Sequence, residues 1–79
     1  MPPLSKLLSR FNLEDRKILE PVIAQIISLK WYNLNIKKLK GYQDIFRFRR
    51  GKLRIIFIKN GKNIRIINIE RRKETTYKI

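Results

Sequence analysis

The chain predicts an α+β domain: two N-terminal helices packed on a small antiparallel sheet of three strands, or four. Three observations carry this. Through residue 29 the apolar side chains recur at spacings of three and four, as on a helix with one buried stripe. From Gly41 to Tyr77, arginines alternate with Phe, Leu and Ile in three short runs, the period of a half-buried strand. Arg50-Gly51 and Asn60-Gly61 interrupt the alternating region, and tight reversals of that kind join antiparallel neighbours.

The elements follow in order. Leu4, Leu7, Leu8 and Phe11, after Pro2 and Pro3, suit a helix of about two turns with proline tolerated at its start. Asn12 is placed to cap a second helix, and Glu14 and Asp15 lie in its first turn, where negative charge favours the helix dipole. Leu13, Ile18, Leu19, Val22, Ile23, Ile26, Ile27 and Leu29 extend that helix to Leu29, with a kink or break expected near Glu20 because Pro21 is interior. Trp31 to Asn35 read as a linker, and Lys37, Lys38 and Lys40 form a basic approach to Gly41.

With Arg50-Gly51 at the centre of the first hairpin, Phe48 faces Leu53, Phe46 faces Ile55 and Arg47 faces Arg54. With Asn60-Gly61 at the centre of the second, a strong type I′ signal, Phe57 faces Ile64, Ile55 faces Ile66, Ile56 faces Arg65 and Arg54 faces Ile67. One face then collects Phe46, Phe48, Leu53, Ile55, Phe57, Ile64 and Ile66 and must pack on the helices. The other collects Arg47, Arg49, Lys52, Arg54 and Arg65, with Ile56, Ile58, Ile67 and Ile69 beside them. Like charges placed directly opposite destabilise a sheet, so this face is read as a seat for a polyanion rather than a solvated surface. The adjoining apolar strip suggests a protein partner covering part of it.

Composition agrees. At 79 residues, residues 1–79 form one domain with a modest core. Its 20 Lys and Arg against 6 Asp and Glu give a formal charge of +14, a self-repulsion that calls for an acidic partner. The charge is lopsided: up to residue 29, Lys6, Arg10, Arg16 and Lys17 are nearly matched by Glu14, Asp15 and Glu20, and the excess falls on the later half. Cysteine and histidine are absent, which excludes disulfides and thiolate metal sites, and the scattered acids form no cluster, so neither metal nor cofactor is expected. No run approaches the ~18 apolar residues of a membrane span, and the start lacks a secretory h-region. A soluble cytoplasmic protein with no membrane partner is expected.

The segments KKLKGYQDIFRFRRGKLRIIF and INIERRKETTY resemble the RelE/ParE toxin superfamily of bacteria and archaea. The shared pattern is leucine-x-glycine, an aromatic, basic-x-basic, a turn, an arginine ahead of an aliphatic strand, and a final arginine then tyrosine. It spans residues 37–78, about half the chain, with the helical pair in the expected place.

The RelE-like branch implies the toxin of a type II toxin-antitoxin system, a ribosome-dependent endoribonuclease that cuts mRNA in the A site. The implied chemistry is metal-independent attack of the ribose 2′-hydroxyl on the adjacent phosphate. By motif position the catalytic set is Arg47, Arg49, Arg54, Arg72 and Tyr77, with Arg71 an alternative to Arg72. Lys37, Lys38, Lys40, Arg50, Lys52, Arg65 and Arg71 are the implied contacts to RNA and ribosome. The implied partners are the ribosome, mRNA and an acidic RelB-like antitoxin, with a toxin–antitoxin heterotetramer as the assembly.

Forked guanidiniums suit the charge of a pentacoordinate phosphorane, which makes Arg47, Arg54 and Arg72 the leading candidates. The proton acceptor is harder to find, since histidine is absent and arginine stays protonated. Tyr77 is either a base activated by neighbouring cations, a stacking platform for a nucleobase, or an anchor for the C-terminus. One departure stands out: family members commonly begin with a strand, and MPPLSKLLSRF reads as helical. Two alternatives stay open, a ParE-like gyrase-inhibiting toxin and a nonenzymatic RNA-binding module or inactive toxin remnant.

Overall fold

The computed structural model describes residues 4–39, 41 and 44–72. It is an α+β fold with helices α1 (Leu4–Ser9) and α2 (Leu13–Ile27) and strands β1 (Ile36–Lys38), β2 (Ile45–Arg50), β3 (Leu53–Asn60) and β4 (Asn63–Arg71). The strands form one antiparallel sheet in the order β1-β2-β3-β4. Both helices contribute to one core against one face of the sheet, and among the described residues no element packs on the other face.

Asn12 caps α2, its side-chain Oδ1 accepting from the Asp15 amide at 2.8 Å. The helix continues unbroken through Pro21, so the expected break near Glu20 is absent. Proline removes the donor that would meet the Lys17 carbonyl, but both residues are exposed and water can serve that oxygen. The end comes two residues earlier than the apolar stripe predicts. Ser28 caps it, and Leu29 takes a left-handed φ of 61° that lets the Lys30 amide reach back to the Gln25 carbonyl at 2.9 Å.

Trp31 is more than a linker residue. Its Nε1 donates to the Ile26 carbonyl at 3.0 Å, a second bond to an oxygen that also accepts from the Leu29 amide at 3.1 Å. Its ring meets Phe46 and Phe57 edge-on, each at 5.4 Å between centroids. This clamps the C-terminal end of α2 to β2 and β3. The core it adjoins comprises Leu7, Leu19, Val22, Ile23 and Ile26 from the helices and Phe48, Leu53, Ile55, Phe57, Ile66 and Ile69 from the sheet. Each large side chain so buried contributes about 1.5–3 kcal/mol.

The sheet differs from the alternating pattern in three respects. Lys37 and Lys38 belong to a fourth strand, β1, in which Ile36, Lys37 and Lys38 pair with Phe48, Arg47 and Phe46. The turns also sit one residue later, with Gly51-Lys52 and Gly61-Lys62 as central pairs. Glycine thereby occupies the first central position, with φ of +57° and +64° in the two turns, where other residues would be strained. Moving a two-residue turn by one shifts the register by two, which changes partners but not faces. Phe48 therefore faces Ile55, Phe46 faces Phe57, and Arg49 rather than Arg47 stands opposite Arg54.

The third difference does change faces. Phe57 pairs with Ile66 and Ile56 with Asn68, so β4 carries a bulge at Ile67. Beyond it the alternation inverts. Ile69 pairs with Ile55 and lies in the core at 1% exposure, whereas plain alternation puts it on the open face. Glu70 pairs with Arg54, and Arg71 pairs with Leu53.

Candidate functional site

Directly opposite residues of an antiparallel pair share a face with Cα atoms about 4.5–5.5 Å apart, so the register alone maps the open surface. One cross-strand row holds Arg49, Arg54 and Glu70. The next holds Lys37, Arg47, Ile56 and Asn68, and a third holds Ile45, Ile58 and Arg65. Arg72 extends the basic end: its amide donates to the Lys52 carbonyl at 2.8 Å, placing it on the Glu70 side of the strand.

Arg47, Arg49, Arg54 and Arg72 thus lie on one surface, and Lys37 joins them from β1. Arg47 and Arg54 are half-buried, and the Nε of each is buried with no hydrogen-bond partner. A buried donor left unpaired costs free energy on the order of 1–3 kcal/mol until something accepts from it. An anionic oxygen would supply that acceptor to both.

Other sequence-predicted contacts fall elsewhere. Arg50 shares the helix-side face with Leu53, and its guanidinium sits 6.0 Å from the Phe48 ring centroid. Arg71 also turns to the helix side, where its Nε meets Asp15 Oδ2 at 2.9 Å. That ion pair joins β4 to the first turn of α2 and removes Arg71 as a substitute for Arg72. Lys38 pairs with Phe46 and so projects from the helix-side face of the edge strand. Arg65 is on the open face, but beside Ile58 at the far end from Arg54 and Glu70. Lys40 and Tyr77 lie outside the described residues.

Two groups escaped the sequence reading. Glu70 is the one carboxylate within the four strands, and Asn68 Nδ2 donates to its Oε2 at 3.0 Å. Both depend on the bulge for their face, and the only sequence signal for it is the doublet Ile66-Ile67, where alternation lapses. A cleft of about 570 Å³ runs along the same end of β4, lined by Arg10, Phe11, Asn68, Glu70, Arg71 and Arg72 among others. The Arg10 guanidinium donates to the Ile69 carbonyl there at 3.4 Å. No described helix is long and apolar enough to cross a membrane.

Comparison with known proteins gives one informative likeness. No protein-family model matches the chain. No curated protein matches it significantly. Among solved structures it resembles a chain of the RelB-RelE antitoxin-toxin complex from Methanococcus jannaschii, with a TM-score of 0.71 and 28% identity. The match covers 85% of this chain and 81% of that one. The α+β architecture is therefore a toxin–antitoxin-related fold.

Proposed function

We propose that this protein is the toxin of a toxin–antitoxin pair, a metal-independent endoribonuclease that cuts ribosome-bound mRNA. The observation that carries the reading is the open face, where Arg47, Arg49 and Arg54 crowd together with the Nε atoms of Arg47 and Arg54 buried and unpaired. Such a cluster is unfavourable for the free protein and favourable for a phosphodiester whose charge grows toward the transition state. The formal charge of +14 fits the RNA-acting member of the pair rather than its acidic inhibitor. Likeness to a chain of a RelB-RelE complex supports membership in such a pair.

In this mechanism the open face binds the message backbone and Arg54 and Arg72 offset charge on the reacting phosphate. Arg47, Arg49 and Lys37 hold the flanking nucleotides. The half-buried isoleucines Ile45, Ile56, Ile58 and Ile67 adjoin the cations, a combination suited to an amphipathic acidic segment of the antitoxin. The site works in the cytoplasm, where ribosome and message are found.

The test is incubation with translating ribosomes followed by mapping of message ends. Cleavage in the A site is expected, reduced at least a hundredfold by Arg54→Ala and strongly by Arg72→Ala. Intact message with the unaltered protein would sink the proposal. Inhibition of DNA gyrase without RNA cleavage would select a ParE-like toxin, and salt-dependent RNA binding without turnover a nonenzymatic module.

A further inference from the structure

We infer that Glu70, oriented by Asn68, is the general base of this open face, an assignment that rests on the endoribonuclease reading above. Attack by a 2′-hydroxyl needs a proton acceptor beside the scissile phosphate. The chain has no histidine, and guanidiniums only donate. Glu70 stands opposite Arg54 on the adjacent strand, on the same face. A phosphate seated on the Arg54 guanidinium brings the preceding ribose to the neighbouring carboxylate.

The details of Glu70 favour use over charge balance. It stands opposite Arg54 on the neighbouring strand, and the two form no ion pair. Asn68 Nδ2 holds Oε2 at 3.0 Å, which limits the rotation of the carboxylate and leaves Oε1 without a partner among the described residues. The bulge at Ile67 is what delivers both side chains: an unbroken ladder in the same hairpin would aim Glu70 at the helices and Ile69 at the open face. Bulges re-aim side chains in this way beside active sites.

The step balances with the groups named. Oε1 of Glu70 takes the 2′-hydroxyl proton as the 2′-oxygen bonds to phosphorus. The bond from phosphorus to the 5′-oxygen breaks with its electron pair, and that oxygen takes a proton from water. The products are a 2′,3′-cyclic phosphate and a 5′-hydroxyl. Arg49 and Arg54 share the cross-strand row of Glu70, and Arg72 continues its side of β4. Arg10, at the end of α1, lines the same cleft.

Glu70→Gln and Glu70→Asp, assayed on ribosome-bound message under single-turnover conditions, test the assignment. Glu70→Gln should lower the cleavage rate a hundredfold or more without weakening ribosome binding, the range of a lost general base. Glu70→Asp should retain part of the rate. Asn68→Ala should slow cleavage about tenfold without weakening binding, as expected when an orienting hydrogen bond of about 1.4 kcal/mol is removed. If Glu70 only balances Arg54, Glu70→Gln makes the face more positive, message binds more tightly and cleavage is undiminished. That result overturns the assignment while the unaltered protein still cleaves. Failure of the unaltered protein to cleave overturns the endoribonuclease reading, and the assignment falls with it.

Discussion

Truncating Ile67 and Ile69 should give very different losses of stability, although simple alternation makes the two equivalent. Ile69 is 1% exposed and packed in the core, while Ile67 is half-buried at the bulge on a face that no second layer covers among the described residues. Ile69→Ala removes three buried carbons, about 2.4 kcal/mol at ~0.8 kcal/mol each, and leaves a cavity that raises the loss to about 3–4 kcal/mol. Ile67→Ala removes the same atoms from a half-wet site with no cavity to leave, and should cost about 1 kcal/mol. Deleting Ile67 is more demanding still. The ladder would then run regularly from Phe57 with Ile66 to Ile56 with Asn68, every later partner would be kept, and the protein should stay folded. Guanidinium unfolding followed by the fluorescence of Trp31, the single tryptophan, measures all three. Equal losses for the two truncations, or an unfolded deletion variant, would refute the bulge and with it the placement of Glu70.

Asn12→Ala should cost about 1 kcal/mol, read as a lowered unfolding midpoint, because the cap on the Asp15 amide is lost. Trp31→Phe keeps an aromatic against Phe46 and Phe57 but loses the indole hydrogen bond to the Ile26 carbonyl, and should cost about 1 kcal/mol by the same measurement. Binding to single-stranded RNA should weaken with salt, and Arg49→Ala should reduce the slope of log K against log[salt] by about 0.7, as for one phosphate contact. Arg50→Ala should leave that slope unchanged, since Arg50 lies on the helix-side face.

Much of the architecture can be read from the residues because its determinants are local. Asn12, Glu14 and Asp15 announce the start of α2 whatever it packs against, and alternation from Phe46 to Phe57 separates core from open face. Even a turn placed one residue early preserves that separation, since the partners move by two. What escapes is decided by comparison between strands. β1 is three residues of which two are lysines, too short for a period and recognisable only by its pairing with β2. Pro21 is tolerated because the carbonyl it deprives faces water, a property of helix orientation. The basic cluster of Arg47, Arg49 and Arg54 follows from alternation, yet Arg50 and Arg71 do not join it. Arg50 has the parity of Phe48, and Arg71 is carried to Asp15 by the bulge.

Arg10 bears on how the molecule stays discrete. β4 forms one border of the sheet, and a border strand is a template on which another chain can grow the sheet further. By occupying the Ile69 carbonyl, Arg10 blocks that growth at one end, while the exposed Arg65 makes a second copy electrostatically unwelcome. The protection from charge weakens as ions accumulate, because the screening length shrinks from about 10 Å at 0.1 M to about 3 Å at 1 M. Solutions of Arg10→Ala should therefore scatter light at salt concentrations where those of the unaltered protein do not.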